Sequence, residues 1–493
     1  MSTQVPARVS RVSQALARDR IGQQAVLSFI LAAVAPLTVA AGLITSAYAQ
    51  TGLTGIPAAF IVIPVVLAVF AAGYLAMARH LTNAGAFYAF ITAGLGRIPG
   101  TAAALVALAS YSCLQIALYG MLGPFAASQA ATYLGIHAQW WVWALGAWAL
   151  VAVLGLAPVD ITGKILGVLT AVEILVIGAL TVSGLIHPAG GHLKFGPLSP
   201  AGLTSGGWGT AGVLAVIAVL GCSGFEQAPV LGEEVRKPRR TIPAATYSAL
   251  ALIAVMYGGS AWAMAAHAGA GNVAAAAGQQ GPGLMFGLAG GFLSQAAQWL
   301  FLTSLFAAAT AFHNSVWRYC FALGREGVLP GALGRTGPNS IPKAASLAQS
   351  GTALAVIVIF AVSGLSPVND LFFMGGTTGG LGVLLLLTVT SAAVIRFFAR
   401  NPHGESAWSR LIAPAISFTV LAGLAVLAVQ HYAALLGVPP GSPVAWILPA
   451  SFAVITAAGL AWGLVLRARR PVVYAAIGMG TYAAAGAVRL GVR

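Results

Sequence analysis

Apolar residues in this chain come in long unbroken runs, without the alternation of a half-buried strand or the narrow stripe of a soluble helix. Twelve runs stand out, near 25–49, 55–78, 99–126, 139–158, 162–186, 208–230, 243–266, 292–322, 344–364, 371–395, 411–436 and 444–467. Each lies near or above the roughly 20 residues that cross a hydrocarbon core as a helix, and each is bounded by Pro, Gly or charge. The pattern predicts an all-α, multi-pass membrane protein of about twelve spans. The run 25–49 follows Arg8, Arg11, Arg18 and Arg20 and ends in Ala47-Tyr48-Ala49-Gln50, which resembles a signal-peptidase site. It is longer than the roughly 7–15 residues of a signal h-region, so the expectation is a first span and not a cleaved leader. The apolar stretch 471–486 is short and flanked by arginine. It is expected to be a cytoplasmic or interfacial tail, with a thirteenth span as the alternative.

Composition strengthens the membrane reading. Of 493 residues, 59% are hydrophobic and 7% charged, with mean hydropathy +0.90; a soluble domain carries about a quarter charged residues. The net charge of +15 would suit a nucleic-acid partner, but the basic residues are parcelled between apolar runs and form no patch. Their distribution gives an orientation instead. With a cytoplasmic N-terminus, every one of the 24 Lys and Arg except Lys194 falls in a tail or loop on the inside, as the positive-inside rule requires. The lipid bilayer is thus one partner and nucleic acid is not. Cys113, Cys222 and Cys320 show no metal-ligand or disulfide spacing, so no cofactor and no metal are expected.

The polar exceptions inside the runs carry the chemistry, because polar groups at membrane depth are costly unless they face protein or water. Gly221-Cys222-Ser223-Gly224-Phe225-Glu226 interrupts span six. A helix broken there frees backbone groups that can hold ammonium and carboxylate groups at the midplane. Glu226 either serves that ligand or holds the broken helix together, and Phe225 is either a lid or core. Ala35-Pro36-Leu37-Thr38 interrupts span one, where Pro36 removes a backbone hydrogen bond. Spans one and six are five apart, the spacing of two five-helix repeats. In span three Tyr111, Gln115 and Tyr119 share one helical stripe that would line a cavity or bond a neighbouring helix. Span eight carries Thr303, Ser304, Thr310, His313 and Asn314; Ser304 either faces a coupling-ion position or serves packing, and His313 and Asn314, near the cytoplasmic end, suit structural roles. Glu173, inside span five, is the candidate proton carrier. Phe87, Phe90 and Ile91 suggest a short interfacial amphipathic helix after span two, and Gly375–Gly380 suggests close helix packing in span ten.

Three stretches carry a family resemblance. Gly224-Phe225-Glu226 with Leu231-Gly232-Glu233-Glu234-Val235-Arg236-Lys237-Pro238-Arg239-Arg240-Thr241-Ile242-Pro243 resembles the span-six signature of the amino acid–polyamine–organocation (APC) permease superfamily. Asn314…Arg318-Tyr319…Leu323-Gly324-Arg325-Glu326-Gly327-Val328-Leu329-Pro330 and Gly85-Ala86-Phe87-Tyr88…Gly94-Leu95-Gly96 are similar to its other motifs. The resemblance implies a LeuT-like fold of two inverted five-helix repeats with discontinuous spans one and six. The repeats would be 25–186 and 208–395, followed by 411–467, with cytoplasmic tails 1–24 and 468–493. It implies alternating-access transport of an amino acid or amine across the cytoplasmic membrane. The substrate would sit at Ala35, Pro36, Leu37, Thr38 and Gln115 and at Gly221, Cys222, Ser223, Gly224, Phe225 and Glu226, with Glu173 and Ser304 serving coupling. Some proton-coupled relatives have a lysine in span five where this chain has Glu173, and many have a Gly-rich break in span one. Proton symport is the first reading. An exchanger without ion coupling is the second. A membrane-embedded enzyme or transport-dead sensor is the third, disfavoured because no HExxH, paired-Asp or Gly-x-Ser-x-Gly arrangement occurs. In the loops, Glu233 and Glu234 with Arg236, Arg239 and Arg240 are candidates to pair with Arg325 and Glu326 as an inner gate. The oligomeric state is not legible.

Overall fold

The computed structural model describes residues 16, 18–81, 83–337 and 340–480. Arg8, Arg11, Arg489, Arg493 and the stretch 481–486 lie outside the described residues. Among those described, regular structure is helical throughout, apart from isolated bridge residues such as the Ile21–Val235 pair. Eleven helices are long and apolar enough to cross a membrane. They are span one Gln23–Thr51, two Ile56–Ala78, three Arg97–Leu134, five Val159–Ile186, six Gly207–Leu231, seven Pro238–Ala268, eight Gly291–Arg325, nine Lys343–Ser363, ten Pro367–Arg400, eleven Trp408–Gln430 and twelve Val444–Arg469. Span four, Trp140–Gly155, has 16 residues and at 1.5 Å per residue is shorter than the rest.

Burial sorts the spans into centre and rim. The most apolar window of span one is 83% buried and that of span twelve 17%. Span one therefore runs through the middle of the bundle, and span twelve faces outward along most of its length. The loop helix Phe87–Leu95 was expected at an interface. It is instead wedged into the protein, with Phe87, Phe90 and Ile91 all buried and the rings of Phe87 and Phe90 packed on Tyr74 at 5.5 and 5.2 Å. Its three apolar side chains cover other helices, which buries more apolar surface than a headgroup layer would.

The basic ends of the helices are tied to one another. The Arg20 and Ile21 amides donate to the Glu234 carbonyl, and the Arg236 amide donates to that of Ile21. Arg97 donates to the Ala475 carbonyl and stacks over Tyr474, so the helix Pro471–Ala476 folds back onto this end. At the opposite end Ala189 bonds Ala266, Trp262 bonds the Lys194 carbonyl, and Gly55 lies against Gly202. All the loops expected on the basic side thus converge.

Arg79 and His80 grip Glu405 on this end, with Arg79 bidentate at 2.6 and 3.0 Å and His80 at 3.1 Å. Partial burial pushes the Glu405 carboxyl up, but the hydrogen bonds and charges of Arg79 and His80 outweigh it and hold the group below the ordinary carboxylate range. Arg79 is 36% exposed, so the pair is worth under about 1 kcal/mol. Because the folded-state value is lowered, this contribution exists above the unfolded value near 4.3 and fades as pH falls through the folded one. Glu405→Gln is accordingly expected to lower thermal stability slightly at pH 7, and the gap from wild type should close in acid melts.

Candidate functional site

Span one is two helices. The first, Gln23–Val34, ends at Ala35, which adopts left-handed backbone angles of φ 52° and ψ 67°. The second begins at Pro36. The expected proline kink is therefore a true break one residue earlier, with Pro36 at the first helical position. There its missing N–H is no loss and its fixed φ suits the helix. The next two amides are exposed donors at the positive end of a helix dipole, and side chains from two other spans take them. The Leu37 amide donates to Glu173 Oε1, and the Thr38 amide donates to Ser304 Oγ at 3.2 Å. Ser304 Oγ in turn donates to Glu173 Oε1 at 2.6 Å and accepts from Thr38 Oγ1 at 3.0 Å. The Val34 carbonyl, at the end of the first half, accepts from Tyr257 of span seven at 3.0 Å. Glu173 and Ser304, separated by 131 residues, thus cap one break together.

Span six breaks in a related way. Its helix ends at Gly221, and after Cys222–Gly224 the chain resumes as a 3-10 segment, Phe225–Leu231. Gly224 has φ 121°, and a Cβ there would come within 2.9 Å of the Ala33 carbonyl carbon and the Val34 nitrogen. Only glycine lets the two breaks touch. The Glu226 carboxylate turns back on its own break. Oε2 accepts from the Gly224 amide at 2.8 Å, and Oε1 from the Tyr111 hydroxyl at 2.7 Å. Tyr74 donates to the Glu226 carbonyl at 2.9 Å. Of the two roles open for Glu226, the geometry presents the structural one. The amides expected to await a ligand at these breaks are filled by Glu173, Ser304 and Glu226.

A cavity of about 120 Å³ lies beside the two breaks. Among the sequence candidates, Ala35, Thr38 and Ser223 line it. Pro36, Leu37, Gly221, Cys222, Gly224, Phe225 and Glu226 lie behind its wall. Gln115 points toward span nine, accepting from Gln349 at 2.6 Å and donating to Tyr119 at 2.9 Å; Leu114, Ala117 and Leu118 present the cavity face of span three instead. Phe225 packs edge-on against Phe70 with centroids 6.1 Å apart, as core and not as a lid. The buried Ser223 hydroxyl has no hydrogen-bond partner among the described residues, which leaves it open to a ligand. The reading from sequence missed the remaining wall, which includes Phe312 of span eight and Phe372, Phe373, Gly376 and Thr377 of span ten. Phe312, Phe372 and Phe373 carry no local signal that separates them from core, while Gly376 and Thr377 fall in the Gly375–Gly380 stretch read from sequence as helix packing.

Above this cavity, toward the end opposite the basic loops, a second space of about 780 Å³ runs between spans one, three and eight and the loop 277–287. Phe373 borders both spaces. Below, the basic end is shut. Arg325 pairs with both oxygens of Glu233 at 2.7 and 2.9 Å, and Arg318 Nε pairs with Glu234 Oε2 at 2.7 Å. Glu326 departs from the expected partners, accepting from Asn83 and from the Gly478 and Gly480 amides of the tail. Arg236 donates to the Asp19 carbonyl. Burial pushes the Glu234 and Glu326 carboxyls up, and the Arg318 charge and the tail amides respectively pull them part of the way back.

A profile of the amino acid permease family matches residues 21–458. The chain belongs to the amino acid permease family. Over 262 residues it is 29% identical to the lysine-specific permease of Lactococcus lactis subsp. cremoris, an alignment covering 48% of this chain and 50% of that protein. The chain therefore spans about half the length of the curated relative it matches. The matched family region takes in both helix breaks, Glu173, Ser304 and the pairs at the basic end.

Proposed function

We propose that this permease is a secondary transporter that carries an amino acid across the cytoplasmic membrane by alternating access, coupled to protons. The observation that carries the reading is the meeting of two helix breaks at one central cavity, which holds the unclaimed Ser223 hydroxyl. Spans one to five and six to ten are read as the two repeats, each opening with its broken helix. Ala35, Thr38 and Ser223 are the substrate contacts in this reading. The basic end, where Arg20 and the helix Pro471–Ala476 pack, faces the cytoplasm in this reading, and Glu233–Arg325 is the inner gate. With that gate closed and the wide space open at the other end, the conformation corresponds to an outward-facing stage of the cycle.

Glu173 is the proposed coupling residue because it joins the span-one break to span eight through Ser304. Holding or releasing a proton there changes how firmly the half-helix is tied down. Purified protein in vesicles is expected to accumulate a labelled amino acid under an inward proton gradient. Absence of uptake across amino acids and polyamines would refute transport. Glu173→Gln retains an oxygen to accept from Leu37 and Ser304 but cannot titrate. Its uptake should lose most of its pH dependence while substrate binding stays close to wild type. A wild-type pH profile in that variant would rule out the coupling role.

A further inference from the structure

The chemistry of the cavity wall narrows the substrate beyond what family membership gives, and beyond what the lysine permease relative suggests. We infer that the central cavity takes an uncharged amino acid with an apolar side chain and rejects cationic ones. The inference rests on the transport reading above and names the substrate class of that same site.

Three observations carry it. First, the wall contains no carboxylate. The two acidic side chains nearest in the fold are both committed elsewhere, since Glu226 accepts from Gly224 and Tyr111 and Glu173 accepts from Leu37 and Ser304. Second, the wall beyond the breaks is mainly hydrocarbon and aromatic, with Thr377 its one hydroxyl. Leu114, Leu118, Leu220, Phe312, Phe372 and Phe373 supply most of its large side chains. Third, the size fits. The space of about 120 Å³ far exceeds the roughly 10–15 Å³ that a single water needs, so it is roomy enough for a ligand much larger than water.

Energetics separate the two classes of side chain. An aliphatic side chain gains about 25 cal/mol for each Å² it removes from water. A lysine ammonium in the same place gives up hydration that costs several kcal/mol in a real protein interior. An aromatic face returns only part of that when the cation is desolvated. The phenylalanine rings therefore cannot replace the missing carboxylate, and the balance opposes a cation. The substrate's own α-ammonium and α-carboxylate meet the polar side of the cavity, where Thr38 and Ser223 sit.

Gly376 offers a way to reverse the preference. It lines the cavity, and a Cβ built on it meets nothing within 4 Å. Gly376→Asp thus places a carboxylate in free space against the apolar wall. The experiment is a binding and uptake panel of leucine, phenylalanine, glutamate and lysine on the full-length protein in proteoliposomes. Wild type is expected to bind and carry leucine or phenylalanine, with lysine weaker by about tenfold or more, the equivalent of 1.4 kcal/mol. Gly376→Asp is expected to weaken the apolar substrates and to strengthen lysine. Lysine bound by wild type as tightly as leucine would overturn the substrate class while leaving the transport reading intact. No amino acid bound or carried at all would overturn the transport reading and the inference together. A gain in lysine affinity cannot result from a damaged fold, so the variant distinguishes electrostatics from misfolding.

Discussion

Glu234→Ala is expected to destabilise the folded protein by about 3–5 kcal/mol, the usual cost of leaving one partner of a buried ion pair without the other. Arg318 is fully buried, and its side chain lies 4.1 Å over the Trp317 ring and 5.9 Å from that of Phe29. Its strongest contact is the 2.7 Å bond from Nε to Glu234 Oε2. Its other hydrogen bonds go to Asn314, to the carbonyl at 2.9 Å and to Oδ1 at 3.3 Å. The ring contributes on the order of 2 kcal/mol to a desolvated cation, less than the several kcal/mol that burying an unpaired guanidinium costs. Thermal unfolding in detergent, followed by the loss of monodisperse protein on size exclusion, reads the effect directly. Glu234→Gln should fall between wild type and Glu234→Ala because it keeps an acceptor. The pair Glu234→Gln with Arg318→Met removes both charges and should recover much of the loss. If Glu234→Ala melts with wild type, Arg318 has found another partner and the pair is not what holds the basic end shut.

The same end of the molecule shows what a sequence can and cannot disclose. The spans were legible because runs of apolar residues must stop where charge, Pro or Gly appears, and the loops carrying Arg79, Arg236 and Arg325 mark those stops. Helix lengths were less legible. Span three was expected to end near 126 and continues to Leu134, passing through Pro124, and span seven begins at Pro238, five residues before the expected start. In both places a helix continues beyond its most apolar stretch, where hydropathy no longer reports it. The breaks themselves were half visible. Gly221 and Gly224 advertise one, but the other turns on Ala35, and an alanine carries no sign that its φ is 52°. Partners were the least visible. Glu226 bonds an amide two residues away, which local reasoning anticipates as a self-contained loop. Glu173 bonds an amide 136 residues away, and no spacing argument finds that. Much of the cavity wall is Leu and Phe indistinguishable in sequence from core, whereas the polar stripe of Tyr111, Gln115 and Tyr119 stands out in sequence and bonds neighbouring spans through Tyr111 and Gln115.

Gly224→Ala is the substitution expected to cost the site most, and Ala35→Gly is its control. At Gly224 two independent penalties coincide. A non-glycine residue held in a sparsely populated backbone region costs about 1–3 kcal/mol, and φ 121° lies in such a region. The added methyl would also stand 2.9 Å from the Ala33 carbonyl carbon and the Val34 nitrogen, backbone atoms that cannot swing aside as a side-chain tip would. Relief requires the span-six loop to retreat from the span-one break, which pulls the Gly224 amide off Glu226 and moves Ser223 away from Ala35. Both stability and ligand binding should therefore fall together. At Ala35 the same logic runs the other way. Its left-handed angles cost an alanine roughly 1–2 kcal/mol, and glycine removes that cost while adding about 0.4–1 kcal/mol of unfolded-chain entropy. Ala35→Gly should consequently melt within about 1 kcal/mol of wild type and lose far less binding than Gly224→Ala, since only one methyl leaves the cavity wall. Ligand-binding isotherms and melts on the two variants side by side check the pair. Gly224→Ala behaving like Ala35→Gly would mean that the breaks do not press against each other, and that the cavity wall is set by something other than their contact.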